Sequence, residues 1–167
     1  RQHDIERLLH IDSKKPQYPK IKTTKRNFNI IQKVISLLVK NKDIIFIGLF
    51  GINCLLKSSK NKELVQFSKN IKVNQINIIC KDVLSVIKNI QNKFKKEKII
   101  YKEYVPFFQF YGSMVTLTLK GEKTPFIRIF ELNQDVKVCT SFTPYTDVLR
   151  NKYRIGSIDL FYVYFYS

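Results

Sequence analysis

Ile45 to Leu56 reads IFIGLFGINCLL, and its reading sets the arrangement of everything around it. The continuous apolar run Ile44 to Ile47 is the pattern of a strand buried on both faces. Gly48 and Gly51 turn the chain, and Ile52-Asn53-Cys54-Leu55-Leu56 continues as a helix that dissolves into Lys57-Ser58-Ser59-Lys60-Asn61-Lys62. A glycine between strand and helix lets a ligand approach the backbone, and the unpaired N–H groups of the helix start attract negative charge.

Upstream, Phe28, Ile31, Val34, Ile35 and Leu38 recur at three- and four-residue spacing, which predicts one amphipathic helix over Asn27 to Lys40. Asp4 to Ile11 is a short helix candidate, joined to it by a polar, proline-bearing arm, so residues 1–26 read as helix plus arm and 27–167 as the domain. Downstream come a short helical piece, Glu63 to Lys69, and a second strand, Gln75 to Cys80. Asp82 then caps a helix whose Val83, Val86, Ile87, Ile90 and Phe94 share a face. Beyond Lys98 the texture changes: Ile99–Val105, Met114–Leu119, Phe126–Leu132 and Val136–Phe142 alternate or run apolar between turn-rich breaks, as a meander does. Ile155 to Ser167 reads as a buried helix or a strand, and ending inside it predicts a piece of a longer protein. This order predicts an α+β fold, a mixed β-sheet with helices packed mainly on one side.

Composition narrows the function classes. A length of 167 residues suits one ordinary domain, and 44% hydrophobic with 13% aromatic residues argues for a folded core. Cys54, Cys80 and Cys139 are scattered and odd in number, and His3 and His10 are the only histidines, which argues against a zinc site or a disulfide framework and for a reducing compartment. No apolar stretch is long enough to span a bilayer, so a cytoplasmic protein without membrane contact is expected. The net charge of +17 points to a polyanionic partner, nucleic acid before membrane. Twenty-four of the thirty basic residues are Lys, a residue with A- and T-rich codons, so base composition is a second source of that charge.

Strand, glycine turn, helix and second strand is the order with which the nucleotidyltransferase superfamily holds a triphosphate. There, a serine after the glycine adds a hydroxyl, and the second strand carries two carboxylates in D-x-D spacing. Strand alternation puts both on one face, where they hold the Mg²⁺ ions of phosphoryl transfer. Here Leu49 follows Gly48, and the paired positions are Gln75 and Asn77. Two neutral amides cannot offset hard divalent cations, so no metal site is expected. The one D-x-D, D-x-E or E-x-D spacing in the chain is Asp4-Ile5-Glu6, in the N-terminal helix candidate and well before the second strand; Asp82, Glu131, Asp135 and Asp159 read as capping or solvated groups. Gly112-Ser113 leads into a strand and lacks the helix that phosphate binding needs.

The stretches IFIGLFGINCLL, VNQINIICKDVLSVIKNI, FYGSMVTLTLKGEKTPFIRIFELNQDVKVC and YRIGSIDLFYVYFYS, in that order, resemble the nucleotidyltransferase-like domain of poly(A) polymerase catalytic subunits from large cytoplasmic DNA viruses. The resemblance covers roughly Phe28 to Ser167, and order and spacing carry it more than any single motif. Such polymerases hold an active nucleotidyltransferase domain followed by a degenerate copy. With only Gly48 kept and Leu49, Gln75 and Asn77 departing from the motif, the resemblance implies the degenerate copy. The parent enzyme would then use ATP and Mg²⁺ to add adenylates to mRNA 3′ ends, while this chain alone needs no cofactor and is inactive.

Three functions follow as expectations. The first is a non-catalytic RNA-binding and scaffold domain, with Lys57, Lys60, Lys62, Lys93, Lys95 and Lys96 on RNA phosphates and the polymerase's catalytic domain as neighbour. Lysines at the end of a helix also suit its dipole without any ligand. Stacking of bases on Tyr101, Tyr104, Phe107, Phe108, Phe110 and Tyr111 competes with ordinary core packing of strand aromatics. The second is a protein-interaction or dimerisation module whose charge serves solubility. The third is an active transferase whose carboxylates, Glu131 or Asp159, come from elsewhere in the chain.

Overall fold

The computed structural model describes residues 23–105, 113–132 and 145–156. The expectations placed on Asp4 to Ile11, on Phe107, Phe108, Phe110 and Tyr111, on Val136 to Phe142 with Asp135 and Cys139, and on the run after Gly156 that includes Asp159 lie outside those residues.

Helix α1 (Lys25–Leu38) starts where Thr24, in extended backbone, accepts a hydrogen bond from the Asn27 N–H at 3.1 Å. That cap moves the helix start two residues upstream of the periodic pattern. Its buried stripe is Asn27, Ile30, Ile31, Val34, Ile35 and Leu38. Phe28, expected in the stripe, is 46% exposed; at 100° per residue it falls roughly 90° from the stripe's centre, and Asn27 takes the inner place.

Strand β1 (Ile45–Ile47) passes directly into α2 (Gly48–Ser58), followed by α3 (Lys62–Ser68), β2 (Ile76–Cys80) and α4 (Val83–Lys93). Asp82 caps α4 as the sequence indicates, its Oδ1 accepting from the Ser85 N–H at 2.9 Å. Then come β3 (Ile99–Tyr104), β4 (Met114–Leu119), β5 (Ile127–Glu131), β6 (Tyr145–Val148) and β7 (Tyr153–Gly156). The described strands form one sheet in the order β3-β4-β5-β2-β1-β7-β6. The meander holds for β3, β4 and β5, which pair antiparallel. β5 then pairs parallel to β2, β1 antiparallel to β2, and β7 parallel to β1, so the sheet is mixed.

Strand alternation sorts the side chains into two layers. Phe46, Ile76, Ile78, Val115, Leu117, Ile127, Ile129 and Ile155 join the buried faces of α1, α2 and α4 in the main core. The other face carries a smaller cluster of Ile45, Ile47, Ile79 and Phe130. Since β1 and β2 run antiparallel, α2 leaves the sheet at one end, called here the Gly48 end, and α4 leaves at the opposite end.

Cys54 and Cys80 are free and buried. Burial pushes the Cys54 thiol up to about 11, with Lys57 and Lys152 pulling weakly the other way. Burial, aided by Asp82 and Glu131, pushes Cys80 up to about 12. Both therefore stay protonated where an unfolded thiol begins to ionise, so stability is lost as pH climbs above about 9 toward 11. In a Cys139→Ser variant, alkylation by iodoacetamide at mildly alkaline pH is expected to be at least about a hundredfold slower in the folded protein than in urea.

Candidate functional site

Gly48 is the hinge on which the site turns. Its φ of +66° lies in the left-handed region, which side chains with a Cβ rarely adopt, and it sits directly at the first position of α2. Ile47, the residue before it, offers no side-chain cap, and the first turn of α2 holds no acidic residue. The helix N–H groups are thus presented as an anion-attracting end. Leu49, where a hydroxyl would serve a phosphate, is an exposed apolar side chain at 39%.

Ile47 is the register partner of Asn77, Asn77 of Arg128, Arg128 of Thr116, and Thr116 of Lys102. Equivalent register positions share a face, so this row crosses the sheet on the side away from the main core. It contains two cations and no carboxylate. Asn77 is 7% exposed, and its Oδ1 has no hydrogen-bond partner among the described residues. Gln75 lies just before β2 and donates from Nε2 to the Pro125 carbonyl at 3.0 Å. A carboxylate cannot make that bond, so this position is built around an amide. Gln75, Arg128, Asn74, Thr124 and Pro125 line a shallow cleft of about 140 Å³.

Arg128 was not singled out by sequence reasoning. Alternation in PFIRIFEL turns it away from Ile127 and Ile129, but only the β2–β5 register reveals that it stands beside Asn77. A guanidinium there repels divalent cations and favours anions. Among the described residues no cluster of three His, Cys, Asp or Glu could hold a metal ion.

The carboxylates lie elsewhere and have other occupations. At the end of the sheet opposite Gly48, Asp82, Glu103 and Glu131 line a cleft of about 530 Å³ with Tyr101 and Ser113. Glu131 accepts from the Ser113 N–H at 3.1 Å and its hydroxyl at 3.2 Å, tying β5 to the start of β4. Glu103 accepts from the Tyr101 hydroxyl at 2.9 Å, and that bond raises the phenol's pKa. Ser113 heads a strand, and its hydroxyl serves Glu131 instead of a phosphate.

The two lysine groups named from sequence are all exposed, and the fold separates them. Lys57 shares its electrostatic neighbourhood with Lys152, in the turn between β6 and β7, which places it at the end opposite Gly48; Lys60 and Lys62 follow it in the chain. Lys93, Lys95 and Lys96 lead to Lys98, whose carbonyl accepts from the Lys120 N–H at 2.8 Å beside the β4–β5 turn, at the Gly48 end. Tyr101 and Tyr104 are exposed on the edge strand β3, at 42% and 37%. No helix among the described residues is long and apolar enough to cross a membrane.

No family model matches this sequence, and no curated protein sequence matches it. Solved structures do. The chain superposes on the Megavirus polyadenylate synthase with a TM-score of 0.64 and 18% identity, over 86% of this chain and 28% of that one. JHP933 from Helicobacter pylori aligns with a TM-score of 0.39 and 11% identity, over 84% of this chain and 56% of that one. The chain therefore spans a little over a quarter of the polyadenylate synthase it matches, and its described part has the α+β, nucleotidyltransferase-like fold.

Proposed function

We propose that this chain is a non-catalytic nucleotidyltransferase-like domain that grips RNA and acts as a scaffold within a larger poly(A)-adding enzyme. It corresponds to the degenerate copy of the domain in such an enzyme from a large cytoplasmic DNA virus. One observation carries the reading: the glycine turn and the bare start of α2 are kept, while the row beside them holds Asn77 and Arg128, and Gln75 is committed to Pro125. An anion-attracting end without carboxylates can hold phosphate but cannot assemble the paired Mg²⁺ ions of adenylate transfer. ATP and Mg²⁺ then belong to the active domain of the same polymerase, the nearest partner, in the cytoplasm where scattered thiols stay reduced. Net charge of +17 supports RNA as the second partner.

A second reading has its own observation. Leu64 and Phe67 on α3 and Leu84 on α4 are exposed at 41%, 58% and 65%, as docking residues of a protein-interaction module would be. Labelled oligo(A) incubated with the chain, ATP and Mg²⁺ separates the cases. The expected result is a retarded complex at low salt and no extension. Extension that Glu131→Ala abolishes would overturn the non-catalytic assignment, and absence of any complex would hand the role to the interaction module.

A further inference from the structure

A cleft of about 380 Å³ opens between α1 and the end of α4, lined by Lys25, Arg26, Asn29, Lys33, Phe94 and Glu97. Its volume falls in the range of small-ligand sites. Glu97 is its one lining carboxylate, and Arg26 takes it at 2.6 Å while donating a second bond to the Lys120 carbonyl at 3.1 Å. Lys25 and Lys33 have no ion-pair partner among the described residues.

The helix itself argues against a purely structural origin of this charge. Lys25 and Arg26 sit in the first turn of α1, the positive end of its dipole, with no acidic residue there. That is the wrong sign for helix stability, and local rules are broken most often where a site needs it. Lys25, Asn29 and Lys33 follow at four-residue steps along one stripe. Across the cleft, Phe94 ends α4 with a half-buried ring, flanked by exposed Lys93, Lys95 and Lys96. The whole is anchored at the Gly48 end: Thr24 donates from Oγ1 to Glu122 at 2.7 Å, and Lys120 bonds the Lys98 carbonyl.

We propose that this cleft seats one nucleotide of single-stranded RNA, with flanking phosphates on Lys25 and Lys33 and the base against Phe94. The proposal rests on the RNA-binding reading above and names where the strand lies. Lysines beside an aromatic ring are the elements with which single strands are held without sequence readout. Arg26, fixed by Glu97, keeps the first turn of α1 in place while the two lysines remain free to meet phosphate.

The test is anisotropy of labelled oligo(A) titrated with the full chain across salt, comparing wild type, Lys25→Gln/Lys33→Gln and Phe94→Leu, each checked for an unchanged thermal melt. Two lost phosphate contacts should lower the log–log salt slope by about 1.4 and weaken binding about twentyfold near 0.1 M salt. Phe94→Leu keeps the bulk of the side chain and should weaken binding with the slope unchanged, because stacking releases no counterion. Wild-type binding that the lysine variant leaves intact overturns the cleft while the RNA-binding reading stands. Normal affinity in Phe94→Leu overturns the base seat. A wild-type chain that binds no oligo(A) at low salt overturns the RNA-binding reading, and the cleft with it.

Discussion

Phe46→Ala is expected to lose most of the domain's stability. Phe46 is 1% exposed in β1, between β2 and β7. Its ring meets Phe50 of α2 edge-on at 5.0 Å and Tyr153 of β7 at 6.1 Å, and those two rings lie 5.5 Å apart. One side chain therefore ties the central strand to the helix after the glycine turn and to the strand on its outer side. Truncating a buried Phe costs about 3–5 kcal/mol, the transfer term plus the cavity left behind. A domain of ordinary stability has only about 5–15 kcal/mol. A urea melt should show the midpoint falling by about 1–3 M or the transition disappearing. Phe28→Ala is the control, because that ring is 46% exposed and its loss should cost about 1 kcal/mol or less. Equal shifts for the two would mean the core does not lie along β1.

How much of this was legible follows from where the physics is local. The Ile44–Gly48 run announced a buried strand and a turn because burial on both faces and a positive φ each leave a mark on composition. Asp82 announced a helix start for the same reason: a carboxylate beside an apolar 3.6-residue pattern has one obvious partner, the N–H three residues on. Phe28 misled because an apolar residue at the edge of a stripe looks the same in sequence as one at its centre. Only the position of Thr24 and the packing of Asn27 decided which way α1 turned.

The candidate site was half legible. Gly48, Leu49, Gln75 and Asn77 are read along one chain segment each, and the absence of carboxylates there needs no tertiary information. Arg128 stands some fifty residues from Asn77 in sequence, and its place beside it is set by the parallel pairing of β2 with β5. Register between distant strands depends on the whole sheet closing around its core. The same holds for the lysines. Lys57 and Lys93 look equivalent in a linear reading, each closing a helix, yet antiparallel β1 and β2 send their helices to opposite ends of the sheet.

That separation makes the lysine groups unequal. Lys93, Lys95 and Lys96 lie at the Gly48 end, the end that also holds the α1–α4 cleft and, on the other face of the sheet, Arg128, whereas Lys57 with Lys60 and Lys62 after it lies a strand's length away, about 17 Å for a strand of five residues. On the RNA-binding reading, phosphates run along the Gly48 end first. Replacing Lys93, Lys95 and Lys96 together by Gln should remove about three contacts, lower the single-strand salt slope by about 2 and weaken oligo(A) binding about a hundredfold near 0.1 M salt. The matching triple change at Lys57, Lys60 and Lys62 should leave a short oligonucleotide nearly unaffected and weaken only one long enough to reach the far end. Anisotropy titrations with a short and a long oligo(A) against both variants measure this directly. Equal losses for the two variants on the short strand would mean that the +17 charge acts as a diffuse cloud instead of a track, and the excess of lysine would then reflect composition.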